Sequence, residues 1–181
     1  MIFIGIDPGL ASCGFAAVDI DGRLQALRVI TTKKGDGVGD AQSRLGELLV
    51  EVRRTFGTCC ELPSYTTLTV EWPLIGGRNP GERRATAASS AAQAFAVTGA
   101  VIGALEQRCR AVHTPIPMTW RTKLHGSRTN ARAVLEKIDR QYAVTEAVGR
   151  TKAPHAIDAL GLALYGLHLH NLDTLGMGVK R

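Results

Sequence analysis

The first 31 residues restrict the possible fold more than any other part of the chain. IFIGI (2–6) is a short apolar run closed by Asp7-Pro8-Gly9, whose Pro and Gly end a strand in a turn. CGFAAVDI (13–20) and LQALRVIT (24–31) follow, separated by the pair Asp21-Gly22. Asp-Gly between two such runs favours a tight hairpin turn. The chain is therefore expected to open as a three-stranded antiparallel meander.

The remainder alternates. Lys33–Asp40 is a polar, Gly-rich loop, and Leu45, Leu48, Leu49, Val52 and Phe56 then recur at helical spacing over about 41–56. TTLTVEW (66–72) is a β-branched strand stopped by Pro73, and 73–84 holds three Gly, two Pro and three Arg, too many breakers for regular structure. An Ala-rich helix is expected over 85–107. On it Ala85, Ala92 and Gly99, with Ser89, Ala96 and Gly103, form a strip of small side chains, expected from the sequence alone to receive another helix in the core. Arg110–Thr114 reads as a strand closed by Pro115 and Pro117, then a loop carrying Trp120-Arg121-Thr122-Lys123. Ser127 or Thr129 is expected to cap a helix through about Tyr142, and the last helix to run from Pro154 to about His170, with 171–181 a fraying tail. The order β-β-β-α-β-α-β-α-α implies an α/β fold with a mixed sheet and helices on its faces.

The 181 residues suit one domain, spanning 1–170. A hydrophobic share of 45% with only 5% aromatics describes an aliphatic core and excludes a disordered chain. The net charge of +6 is unevenly placed: residues 108–152 hold ten Lys and Arg against three acids, a net +7. Such a block suits a polyanion, or is simply a solvated basic face. Cys13, Cys59, Cys60 and Cys109 show neither disulfide nor zinc spacing and are expected reduced. The start lacks the basic and apolar regions of a signal peptide, and Thr86, Ser89, Ser90, Gln93 and Thr98 interrupt the most apolar stretch. A soluble, cytoplasmic protein with no membrane partner is expected.

Three acids stand in otherwise apolar elements: Asp7 at the end of the first strand, Glu71 in TVEW, and Asp158 in AIDALGLAL. His155, three residues before Asp158, shares its helical face. Singly, each acid has an ordinary role: a turn cap, an Arg partner, or a charge favoured at a helix start. Jointly they are costly to desolvate, unless they converge at a sheet edge around divalent cations such as Mg²⁺ or Mn²⁺. Two such ions can activate water and stabilise the leaving oxygen of a phosphodiester.

IGIDPGLASCGFAAVD, the Glu of TVEWP and the ending HAIDALGLALYG together closely resemble the RuvC-type Holliday junction resolvases, crossover junction endodeoxyribonucleases with the RNase H-like fold. The resemblance runs from about residue 2 to 170, and PMTWRTKLHG is more similar to phage-type members than to cellular ones. It implies a five-stranded mixed sheet with helices on both faces, two Mg²⁺ or Mn²⁺ ions per site, and paired symmetric nicks in a four-way junction that leave 5′-phosphate and 3′-hydroxyl ends. Asp7 matches the carboxylate that bridges both metals, Glu71 the ligand near the leaving oxygen, and His155 with Asp158 the pair that holds the metal carrying the attacking water. A neutral imidazole ligand implies activity that falls below about pH 6.

Arg121 and Arg132 match the family's basic residues that face the scissile phosphate; the resemblance further implies Lys123, Arg128 and Lys152 as supporting phosphate contacts, with Arg78, Arg83 and Arg84 expected to hold strands near the crossover. The resemblance also implies a homodimer through the long helix, which turns the small-residue strip towards an interface. One departure stands out: the family's junction-probing aromatic is absent, with Leu74 and Ile75 near its place and Trp72, next to Glu71, expected in the core. Alternatives are a related nuclease acting on structured RNA or other branched DNA, an actin-like ATPase, which needs a second domain, and a non-catalytic junction binder, which needs a broken metal site.

Overall fold

The computed structural model describes residues 1–35, 39–59, 66–73, 86–124 and 131–177. The meander is present as β1 (Ile2–Asp7), β2 (Ser12–Asp19) and β3 (Leu24–Thr31), followed by α1 (Asp40–Cys59), β4 (Thr66–Val70), α2 (Thr86–Leu105), β5 (Ala111–His113), α3 (Pro117–Lys123), α4 (Ala131–Tyr142), α5 (Val144–Val148) and α6 (Ala153–Thr174). The sheet order is β3-β2-β1-β4-β5, with β1 antiparallel to β2 and parallel to β4. This is the mixed five-stranded sheet expected from the sequence.

Strand alternation sorts the residues between two cores. Ile4, Ile6, Cys13, Phe15 and Leu68 face α1 and α2, where Leu48, Val52, Phe56, Val97, Val101 and Leu105 complete one buried cluster. Phe3, Ala16 and Val18 face the other way, against Val134 and Ile138 of α4 and the Ala-rich side of α6. Helix α6 lies close on β1 and β2 because both carry glycine where it crosses. A Cβ on Gly5 would collide with backbone atoms of Ala159 and Ala163, and one on Gly14 with the carbonyl of His155.

The turn between β2 and β3 is tied by Asp19. Its Oδ1 accepts the Asp21 and Arg23 amides at 3.0 and 2.9 Å, and Oδ2 accepts Gln25 Nε2 at 2.7 Å. These bonds, the Arg23 amide foremost, hold the Asp19 carboxyl below its usual value near 3.8. A depressed folded-state pKa gives stability that is present above that usual value and lost as pH falls through the folded one. Asp19→Ala is therefore expected to lower the melting temperature at pH 7, with the gap to the wild type narrowing below the usual carboxylate range. A gap that does not change with pH would show that the charge contributes nothing.

Several elements differ from their expectation. The segment at 117–123 is a helix, not a loop: Ile116 is extended, and Pro117 starts α3 with its φ already fixed and no amide to satisfy. Helix α5 is additional, entered through Ala143 at φ 49° with the Thr145 amide and hydroxyl donating to Asp139. Helix α6 continues to Thr174, past His170, and Gly176 at φ +71° follows its end. On α2 the described part of the small strip does not enter the core: Ala92, Ala96, Gly99 and Gly103 are exposed while Val97, Val101 and Leu105 are buried, and Ala85 and the Ser89 side chain lie outside what is described. Trp72 is 40% exposed, edge-on to Phe95 at 5.5 Å, and Trp120 is the fully buried indole instead. Ser127, Thr129, Leu74 and Ile75 lie outside the described residues. Among those described, no helix is long and apolar enough to cross a membrane.

Candidate active site

Asp7 and Glu71 meet because β1 and β4 run parallel in register. Ile6 pairs with Val70, and the Glu71 amide donates to the Ile6 carbonyl at 3.1 Å, so the two acids follow side by side. Alternation gives them one face: Phe3, Gly5 and Asp7 on β1, with Thr67, Thr69 and Glu71 on β4, look towards α6. Gly14 is the register partner of Asp7 on β2, and the space its missing Cβ leaves is filled by the backbone of His155. The first turn of α6 is thereby set against Asp7.

The side chains then engage in pairs. His155 Nδ1 and Asp7 Oδ2 are 2.7 Å apart. Trp120 Nε1 donates to Glu71 Oε1 at 2.9 Å, and Arg121 Nη2 to Asp158 Oδ1 at 2.8 Å. Burial pushes the Glu71 carboxyl up to about 7; the Trp120 bond opposes this, and the charges of Asp7 and Asp158 add to it. Asp158 is also raised, first by burial, with Arg121 opposing and Asp7 adding. His155 is raised by its bond to Asp7, against its own burial. Cys13, behind the site, is inert: burial foremost, then the Asp7 charge, lifts its thiol to about 12.

Four sequence-expected residues, Asp7, Glu71, His155 and Asp158, are thus brought to one sheet end, and Arg121 joins them. Its Cζ lies 4.9 Å from the Trp120 ring centre, and its Nε is buried without a partner among the described residues. Lys123 and Lys152 are exposed, at the end of α3 and just before α6. Arg132 is exposed on α4 and pairs with Glu136 at 2.8 Å. Arg78, Arg83, Arg84 and Arg128 lie outside the described residues. Beside His155 opens a cavity of about 390 Å³ lined by Pro8, Gly9, Ser12, Arg44 and Gln93. Trp120 escaped the sequence reading as a site residue; the signal was Pro117, a helix-starting proline three residues before it.

No ready-made group of three His, Cys, Asp or Glu ligands is present among the described residues. The donor set nevertheless fits a hard divalent cation: three carboxylates and one imidazole, with the charge of Asp7 adding to what burial already does to Glu71 and Asp158.

Strand order, mixed direction and helices on both faces define the RNase H-like fold. Thermus thermophilus RuvC shares it, with a TM-score of 0.64 and 23% identity over 98% of each chain. So does the same protein solved in complex with a Holliday junction substrate, with a TM-score of 0.62 and 23% identity over 98% of this chain and 97% of that one. The yeast mitochondrial Holliday junction resolvase Ydc2 aligns over 95% of this chain and 83% of its own, with 13% identity and a TM-score of 0.50. No protein-family model matches the chain, and no curated protein matches it.

Proposed function

We propose that this chain is a metal-dependent endodeoxyribonuclease that resolves four-way DNA junctions by paired, symmetric nicks, leaving 5′-phosphate and 3′-hydroxyl ends. The observation that carries the reading is the convergence of Asp7, Glu71, His155 and Asp158 at one sheet end, with Arg121 among them. The fold shared with a junction-bound resolvase supports the choice of substrate.

Asp7, Glu71, His155 and Asp158 would hold Mg²⁺ or Mn²⁺, which supplies an activated water and positive charge for the departing oxygen. The chain's own residues do the rest. The Arg121 side chain is partly exposed and gives only Nη2 to Asp158, so the accessible part of its guanidinium can donate to the scissile phosphate. Lys123 and Lys152 add phosphate contacts at the rim, with Arg132 on α4, and Arg78, Arg83, Arg84 and Arg128 are further candidates of the same kind. Two nicks need two sites, so the active form is a homodimer, and the exposed strip of Ala92, Ala96, Gly99 and Gly103 is the face that lets two α2 helices approach closely. The working compartment is wherever such DNA is found: the cytoplasm with its nucleoid, a phage-infected cell, or an organelle.

Cleavage mapping on mobile and fixed four-way junctions with Mn²⁺ or Mg²⁺ tests this, with sedimentation of the protein alongside. Symmetric, ligatable nicks and a dimer are expected. Binding junctions no better than linear duplex, with neither cut, would sink the reading; faster cleavage of structured RNA would move the substrate.

A further inference from the structure

The buried indole of Trp120 has no part in the chemistry just described, yet it is built into the site from three sides. It lies on α3 with no exposed surface, and Leu162 and Tyr165 of α6 pack against it. Its six-membered ring sits where a side chain on Gly161 would be: a Cβ there would be 2.7 Å from Cη2 and 3.2 Å from Cε3, and would collide with Cζ3. The Trp72 amide donates to the Pro115 carbonyl at 2.9 Å, tying the end of the Glu71 strand to the chain that leads into α3. Only the Nε1–H then remains to be satisfied, and a buried indole N–H requires an acceptor. The acceptor is Glu71 Oε1, at 2.9 Å. Oε2 stays unbonded among the described residues.

We propose that Trp120 is a positioning residue for Glu71: its N–H fixes one carboxylate oxygen and so presents the other to the divalent cation. The inference rests on the proposed metal-dependent chemistry and deepens it. The neighbouring residue reinforces it, since Arg121 holds Asp158 while Trp120 holds Glu71. Two consecutive residues of α3 thus span the strand-borne and helix-borne acids. Asp158 and the Gly161 socket are one helical turn apart on α6, so any displacement of the indole is felt by both acids. Hydrogen bonds from groups behind a metal ligand commonly tune affinity 10- to 100-fold.

The test replaces Trp120 by β-(3-benzothienyl)alanine, which keeps the shape of the indole but puts sulfur in place of N–H; Trp120→Phe is its simpler companion. Mn²⁺ affinity is measured by titration calorimetry, with melting temperature and junction binding in EDTA as controls. The analogue is expected to bind Mn²⁺ about 10-fold more weakly, with junction binding in EDTA unchanged and a cooperative melting curve showing that the fold is kept. In a Trp72→Phe protein, where Trp120 is the only indole, Mn²⁺ is expected to quench the emission saturably and Mg²⁺ to compete. If the wild type binds Mn²⁺ and the analogue binds it equally well, Trp120 only fills space and this inference fails alone. If the wild type neither binds Mn²⁺ nor cuts any junction, the functional reading fails and takes the inference with it.

Discussion

Asp7→Asn is expected to lower junction cleavage by on the order of 10³-fold or more, while junction binding without metal is unchanged or tighter. Asp7 ends the central strand of the sheet, bonds to His155 at 2.7 Å, and its charge bears on Glu71, Asp158 and His155 alike. Asparagine keeps the shape and one acceptor oxygen, so the fold should hold and the melting temperature should stay close to that of the wild type. What it removes is the negative charge around which a cation would be gathered, and the same charge repels DNA phosphate when no metal is bound. Single-turnover cleavage, a gel-shift assay in EDTA and a melting curve separate these effects. Cleavage above a tenth of the wild-type rate would mean that the candidate site is not where the reaction occurs.

That Asp7 and Glu71 lie side by side was legible because it rests on local rules. Asp21-Gly22 fixes the hairpin, alternation along β1 and β4 fixes the face, and an acid at the end of an apolar strand is conspicuous. His155 and Asp158 were legible for a similar reason, being three apart at the start of a helix. Trp120 was not. Two prolines at 115 and 117 read as breakers, but Pro117 opens a helix, and the partner that buries the indole is Gly161, distant in sequence and marked only by lacking a side chain. The two tryptophans exchanged roles accordingly: Trp72 lies exposed beside Phe95, and Trp120 is in the core. Helix α2 lies where the sequence puts it, but its inward face was not legible, on different grounds. It is rich in Ala, so its inward and outward faces differ little in hydropathy, and only packing of Val97, Val101 and Leu105 on the sheet shows that Gly99 and Gly103 point away. The basic block was visible as charge, yet Arg121, turned inward to Asp158, and Lys123, exposed two residues later, are indistinguishable by composition.

Gly14→Ala should damage both stability and activity, although it adds one methyl group at a strand position. Gly14 is glycine because α6 lies against it, not because its backbone needs unusual torsions. The added Cβ would collide with the His155 carbonyl oxygen, lie 2.7 Å from the carbonyl carbon, and lie 3.1 Å from Ala159 Cβ. Two of these three obstacles are backbone atoms, which cannot rotate away. Strand β2 is held by β1 on one side and β3 on the other, so the first turn of α6 has to give. Overpacking of this kind costs about 1–3 kcal/mol, and at this chain length each kcal/mol lowers the melting temperature by roughly 2–4 °C. The same shift carries His155 away from Asp7, now 2.7 Å distant, and a misplacement of about 1 Å can cost roughly 10²-fold in rate. Gly46→Ala supplies the contrast. At an exposed position of α1, where a Cβ meets nothing within 4 Å, alanine should raise stability by about 0.5–1 kcal/mol and leave cleavage alone. Assaying Gly14→Ala well below its own melting temperature separates displacement from unfolding. Wild-type melting and wild-type cleavage together would mean that α6 does not seat His155 through Gly14.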